Sequence, residues 1–147
     1  HDQRWRQQAQ KYDLVESIRI RNTTELKTVL SQGIPVQICS GWGFGASHRV
    51  TSDKNGFWVY RRSGSWSHSM LIVAWYEYKG RTYFEVRNSW GRNAHKDPGH
   101  GVPRGSFLIV EDTAGDWLPR AVPLTISELK LRQSSPPPRW TPLSTSA

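Results

Sequence analysis

The sequence contains a single cysteine, Cys39, among its 147 residues. One thiol cannot form an intrachain disulfide, so packing must hold the domain together, and the expected environment is a reducing compartment such as the cytoplasm, or a virion.

Long apolar runs are also missing. The longest, Met70 to Tyr76, has the length of a strand and is far short of the roughly 20 residues that cross a bilayer. We therefore expect no membrane span.

A secretory leader is not recognisable either. The chain begins at His1 rather than at Met, and no charged segment followed by an apolar one opens it. We expect His1 to be a processed or truncated boundary with further sequence upstream.

Acidic residues are the minority among the charged ones. Lys and Arg number 20 against 12 Asp and Glu, which gives a net charge of +8 and a pI near 10.1. This balance favours acidic partners, including nucleic acid, an anionic membrane surface or an acidic protein surface. The basic residues form no dominant run, so any contact with nucleic acid is expected to be nonspecific.

Large aromatic side chains are abundant, with eight Trp, five Tyr and four Phe. They supply the apolar surface that disordered chains lack, and the length favours one domain. We divide the chain into an N-terminal arm or truncated boundary (1–13), a folded β-rich region (14–132) and an extended tail rich in Pro and Ser (133–147). The tail is a candidate arm for tethering the protein within a larger assembly.

The folded region shows one helix signal and five strand signals. Asn22 and Glu25 resemble a capping box, which predicts a short helix over 23–32 that ends before Gly33. Alternating or β-rich runs, bounded by turn residues, predict the strands. A tight Lys79-Gly80 turn joins two of them as an antiparallel hairpin. The predicted strands are 35–40, 57–61, 69–78, 81–87 and 106–110.

Three motifs follow one another in this region. His68 opens the first strand of the hairpin, Asn88-Ser89-Trp90-Gly91 closes the second strand, and Gly105-Ser106-Phe107 begins a later strand. In this order the motifs resemble the C-terminal, right-hand half of the papain-like cysteine peptidases, over roughly residues 14–118. The resemblance implies an α+β fold: a twisted, antiparallel, barrel-like sheet with one short helix.

The resemblance also implies roles for three residues. His68 would be the general base and acid of peptide-bond hydrolysis, and Asn88 would hold the imidazole ring by accepting a hydrogen bond from it. Trp90 would cover that hydrogen bond and exclude water from it. Since the ends of adjacent antiparallel strands lie side by side, we expect His68 and Asn88 to be within hydrogen-bonding distance.

The sequence departs from the family in its nucleophile. The family's cysteine begins a helix about 130 residues before the histidine, whereas 67 residues precede His68 here, and the family's oxyanion-hole glutamine is likewise missing. The leading hypothesis is that a separate or missing N-terminal helical half-domain supplies the cysteine. One alternative is a catalytically inactive scaffold that serves a structural or interaction role in a larger, for example viral, assembly.

A second alternative is a self-contained thiol hydrolase that uses Cys39, because Cys39-Ser40-Gly41 resembles the Cys-Ser-Gly of bacterial cell-wall endopeptidases. A nucleophilic cysteine is favoured at a helix N-terminus, however, and Cys39 ends a predicted strand. We therefore expect an inert thiol. His95 and His100 lie in a loop without companions suited to a metal, so neither a metal nor another cofactor is predicted.

Overall fold

The computed structural model describes residues 17–44 and 49–126, which fold into eight strands, two α-helices and one 3₁₀ turn. In chain order these are β1 (Ser17–Arg19), α1 (Thr23–Ser31), β2 (Val36–Trp42), β3 (Val50–Ser52), β4 (Trp58–Tyr60), β5 (Ser65–Tyr78), β6 (Arg81–Arg87), β7 (Ser106–Val110), α2 (Glu111–Trp117), the 3₁₀ turn (Leu118–Arg120) and β8 (Ala121–Ile126). The fold is α+β, as the sequence predicts.

All eight strands belong to one sheet, in the order β1-β8-β2-β5-β6-β7-β4-β3. Every pairing is antiparallel except that of β4 with β7, where Val59 lies opposite Leu108 in parallel. The expectation of a purely antiparallel sheet was therefore wrong, because the long connection between β4 and β7 allows the two strands to run in the same direction. The strand order has two ends, so the described strands form an open sheet rather than a closed barrel.

Helix α1 forms where its cap predicts it. The side chain of Asn22 accepts a hydrogen bond from the Glu25 backbone N–H (2.9 Å), and the Glu25 carboxylate accepts one from the Arg21 N–H (2.8 Å). Leu26 and Leu30 are buried one turn apart on the face that the helix turns toward the sheet. The prediction of this helix is confirmed to within one residue.

The central hairpin is also confirmed. Strands β5 and β6 pair antiparallel from Tyr78 opposite Arg81 as far as Leu71 opposite Arg87. Strand β5 begins four residues earlier than predicted, because its first half pairs with β2, with Ser40 opposite His68. His68 therefore lies inside a strand that is held by a neighbouring strand, rather than at a free strand end.

Helix α2, near the C-terminal end of the described region, contradicts the expectation of a single helix, and strand β8 was not predicted. Helix α2 contains a glycine and has no side-chain cap, but it buries Ala114 and Trp117 against the sheet, so tertiary packing stabilises it. Strand β8 contains Pro123, a residue that argues against a central strand, yet it pairs with both β1 and β2. The Pro123 carbonyl accepts a hydrogen bond from the Ile20 N–H, so this residue still contributes to the sheet.

The sheet carries an apolar cluster on each face. The larger cluster lies under α1 and α2 and includes Ile38, Ile72 and Val86, and the smaller one surrounds Phe57 and Tyr83 on the other face. Because side chains alternate along a strand, these two clusters assign a face to the residues of β6 and to those of β5 up to Ile72, where the pairing register shifts. His68 shares the face of Met70 and Ile72, which is the face of the larger cluster.

The predicted arm at 1–13 and the predicted tail at 133–147 lie outside the described residues. Neither of the helices that the structure describes has the length and apolarity that crossing a bilayer requires.

Candidate active site

The site is built around His68, which lies in the first half of β5, opposite Ser40 of β2. The Ser40 hydroxyl accepts hydrogen bonds from the indole N–H of the buried Trp117 (2.8 Å) and from the Trp42 backbone N–H (3.1 Å). The backbone beside His68 is thus fixed by a strand neighbour whose own side chain is anchored in the core.

Asn88 is the first residue after β6, and the hairpin brings it next to His68. Its Oδ1 lies 2.8 Å from His68 Nε2, so the structure contains the contact that the sequence predicts. The backbone N–H of Ser89 also points at Oδ1, at 2.7 Å. A backbone N–H can only donate, so this second contact identifies the oxygen of the Asn88 amide and fixes the amide orientation.

The amide orientation in turn determines which His68 nitrogen carries hydrogen. Since Asn88 Oδ1 accepts, His68 Nε2 must be the N–H donor, and in the neutral ring Nδ1 then holds the free lone pair. No described residue forms a hydrogen bond to Nδ1. Within the described residues the imidazole therefore has one nitrogen held and one nitrogen able to accept a proton, which is the arrangement that a general base requires.

Trp90 stacks on the imidazole of His68, with ring centroids 4.9 Å apart and planes inclined by 24°. Trp66, two residues before His68 on β5, meets Trp90 edge-on at 4.9 Å and His68 at 5.5 Å. Trp90 nevertheless remains 50% exposed, so it covers one face of the imidazole while its own outer face is open. The two indoles limit the access of water to His68 from that side.

His95 is the site residue that sequence reasoning missed. It is buried, with 9% of its surface exposed, and its Nε2 lies 3.1 Å from Asn88 Nδ2. Its ring packs against Tyr60 (5.4 Å), Phe107 (4.7 Å) and Trp90 (6.1 Å). The sequence places His95 in an irregular loop and gives no sign of this burial.

The protonation of His95 follows from the same hydrogen bonds. Because Asn88 Nδ2 is a donor, His95 Nε2 must be an acceptor, which requires a neutral ring with hydrogen on Nδ1. Burial lowers the pKa of His95 from its ordinary value, which favours this neutral form. The amide of Asn88 therefore connects two histidines, donating to one and accepting from the other.

Cys39, the free thiol of the chain, lies elsewhere. It pairs with Ser69 in the β2–β5 register, and the two side chains are in contact, with 3.4 Å between Sγ and Oγ. Since Cys39 and Ser40 are adjacent in a strand, their side chains point to opposite faces, and Ser40 is the residue opposite His68. The thiol is therefore directed away from the face that carries the imidazole.

An open depression of about 440 Å³ borders Asn88, and Gln37, Ser69 and Leu71 in its lining share the face of Cys39, opposite the His68 imidazole. It extends from Asn88 across the β2–β5–β6 surface. Its walls combine polar groups with apolar ones, and the Gln37 amide donates a hydrogen bond to Ser69 Oγ across it (2.9 Å). The lining residues are Gln37, Ser69, Met70, Leu71, Arg87, Asn88 and Ser89.

The other loop histidine does not join His95. His100 packs on Phe57, with ring centroids 4.3 Å apart, in the smaller cluster on the opposite face. Within residues 17–44 and 49–126 no group of three His, Cys, Asp or Glu side chains is arranged to hold a metal ion.

Comparison with known proteins adds no relative: no family model matches the chain, and no curated protein matches it significantly.

Proposed function

We propose that this chain is the His/Asn-bearing half of a papain-like cysteine peptidase. The observation that carries the proposal is the 2.8 Å contact between His68 Nε2 and Asn88 Oδ1, with Trp90 stacked on the imidazole and no described hydrogen bond to Nδ1. The order of the motifs along the chain and the geometry of the site favour the same chemistry.

The reaction would be acyl transfer to a thiol. Nδ1 of His68 accepts the thiol proton, and the thiolate attacks the carbonyl carbon of a peptide bond. The imidazolium then gives its proton to the leaving amine as the C–N bond breaks. Water next attacks the acyl-thioester, losing a proton to His68, and releases the carboxylic acid and the thiol. Asn88 would hold the imidazole in the productive tautomer throughout.

The nucleophile would come from residues outside this chain, on a helical half-domain that packs against the sheet. The described part of the chain offers no thiol to His68, since Cys39 points to the other face.

A thiol-directed epoxide probe tests the proposal on the full-length gene product. General acid–base catalysis contributes about 10²- to 10⁴-fold, so His68→Ala should slow the labelling of a cysteine upstream of His1 by that order. Asn88→Ala should slow the same labelling to a smaller extent. His100→Ala is the matched control: this histidine is exposed on the opposite face, and its loss should leave the labelling rate unchanged.

The alternatives predict other outcomes. Cys39→Ser should have no effect on labelling, whereas loss of labelling in this variant would make Cys39 the nucleophile. A complete protein that shows no labelling at any cysteine, with His68 and Asn88 intact, would support the inactive scaffold. In that case the dyad and its tryptophans would be retained for packing alone.

A further inference from the structure

We infer that His95 is a positioning residue that, in its neutral form, holds Asn88 in the orientation that the His68 dyad needs. The inference rests on the proposed function of the dyad, but the hydrogen bonds that carry it involve only residues of this chain. Asn88 contacts three groups: His68 Nε2, the Ser89 N–H and His95 Nε2.

The three hydrogen bonds share one amide, so the donor and acceptor roles in one bond fix the roles in the others. The Ser89 N–H and His68 Nε2–H both donate to the amide oxygen, so the amide nitrogen must face His95 and needs an acceptor there. Neutral His95 supplies that acceptor. Rotating the amide by 180° would turn its nitrogen toward the Ser89 N–H, which can only donate, so that bond would be lost and both histidines would have to exchange tautomers to keep theirs.

The packing around His95 keeps its ring in this position. Tyr60 meets the ring edge-on, Phe107 lies at 4.7 Å and Trp90 lies on the outer side. The Lys96 backbone N–H donates to the Tyr60 hydroxyl (2.8 Å), which ties the residue next to His95 to strand β4. The imidazole therefore cannot rotate to offer Asn88 a different atom without disturbing the core.

Of the residues that the structure describes, those that face His95 include no stabilising anion. Tyr60 on β4 is a phenol whose pKa is raised by burial, β7 contributes Phe107, and the loop after β6 contributes Asn88 and Trp90. The Lys96 ammonium lies over the Trp58 ring, 3.2 Å from its centroid. Among the described carboxylates none is hydrogen-bonded to His95, so protonation would place an uncompensated charge in the core and a donor opposite Asn88 Nδ2.

The hydrogen bond between His95 and Asn88 should therefore depend on pH, being present at higher pH and lost at lower pH. Above the pKa of His95 the ring accepts from Asn88 and the dyad is held. Below this pKa the imidazolium and the amide present two donors to each other, so the His95 bond is lost and Asn88 is held through Oδ1 alone, which weakens its hold on the His68 ring. The lowered pKa of His95 moves this loss to acidic pH.

Nitrogen-15 NMR of the imidazole rings measures the tautomers without any need for a nucleophile or a substrate. In the wild-type protein we expect His95 with hydrogen on Nδ1, His68 with hydrogen on Nε2, and one shared acid midpoint for His95 and the Asn88 side-chain amide. His95→Gln supplies an acceptor that does not titrate, because its Oε1 can take the place of Nε2. In that variant the His68 tautomer should persist and the midpoint should disappear from the Asn88 signal.

His95→Phe is the matched variant, because it retains an aromatic ring but offers no acceptor to Asn88. His100→Gln is the control for replacing a histidine that lies away from the dyad. Loss of one hydrogen bond should lower the fraction of His68 with hydrogen on Nε2 and slow probe labelling about two- to tenfold. If His95→Phe does not fold, the comparison of the wild type with His95→Gln decides the question. Hydrogen on Nε2 of His95, or an Asn88 midpoint that survives in His95→Gln, would overturn the inference.

These outcomes separate the inference from the proposed function. If labelling depends on His68 but the Asn88 amide signal does not respond to the protonation or substitution of His95, the peptidase proposal stands and the role of His95 is refuted. If the NMR signals of His95, Asn88 and His68 are coupled but the complete protein is never labelled, the role of His95 stands and the peptidase proposal is refuted.

Discussion

Glu85 offers the sharpest test of how the sheet supports the site. It lies on β6 three residues before Asn88 and is 2% exposed. Its carboxylate accepts hydrogen bonds from the Tyr76 hydroxyl (2.5 Å) and from the buried Ser106 hydroxyl (2.7 Å), so it connects β5, β6 and β7. Arg87 also contacts it at 3.2 Å, but half of the arginine side chain is exposed, which makes that ion pair a minor contribution.

Replacing Glu85 with alanine should remove the acceptor of the buried Ser106 hydroxyl and one hydrogen bond of the half-buried Tyr76. A buried hydroxyl that loses its partner costs about 1–3 kcal/mol and an ordinary hydrogen bond contributes about 0.5–1.5 kcal/mol, so we expect Glu85→Ala to lower the free energy of unfolding by about 2–4 kcal/mol. Glu85→Gln keeps the shape and one acceptor oxygen, and it should cost about 1–2 kcal/mol. Urea denaturation followed by Trp fluorescence measures both values.

The control for these variants is Glu77→Ala, which removes an exposed carboxylate from β5. An exposed substitution of this kind should change the free energy of unfolding by no more than about 0.5 kcal/mol. If Glu85→Ala and Glu77→Ala shift the denaturation midpoint equally, then the carboxylate network does not hold the three strands and the reasoning is refuted.

Three further predictions concern the turn, the core and alkaline pH. Lys79 has φ 48° in the hairpin turn, a conformation that asparagine adopts more readily. Lys79→Asn should therefore raise the free energy of unfolding by about 0.5–1 kcal/mol, and a lower melting temperature would contradict this. Ser40→Ala removes the hydrogen-bond acceptor of the buried Trp117 indole N–H and should lower the free energy of unfolding by about 1–3 kcal/mol, measured by urea denaturation. Ser40→Thr retains a hydroxyl and should lower it by less. Burial, followed by the hydrogen bond to Asp53, raises the pKa of Tyr83 to about 12. Because the folded pKa is the higher one, stability should fall as the pH rises from about 10 toward about 12, and Tyr83→Phe should flatten this decline. An identical decline in the variant would count against this assignment.

The sequence predicts elements whose signals are local. The Asn22 cap, the apolar spacing of Leu26 and Leu30 and the Lys79-Gly80 turn each specify a helix or hairpin through nearby residues, and the structure confirms these elements. The His68–Asn88 contact was predictable for the same reason, because one hairpin determines the positions of both residues.

The elements that sequence reasoning missed depend on partners distant in the chain. Strands β1 and β3 are three residues long and carry too little pattern to identify. Strand β8 contains Pro123, and its pairing becomes evident only when β1 and β2 lie on either side of it. His95 is similar: its burial depends on Tyr60 and Phe107, which lie 35 residues before and 12 residues after it in the sequence.

The hairpin that joins His68 to Asn88 affects how a two-part enzyme would assemble. The two residues are 20 positions apart in sequence, and they meet through strand pairing within a single folded unit. The conformational entropy lost in orienting the imidazole is therefore part of this domain's folding and adds nothing to the free energy of association. A partner that brings the thiol would meet a rigid surface and would lose mainly translational and rotational freedom on docking. Association of the two parts could then act as the step that switches activity on.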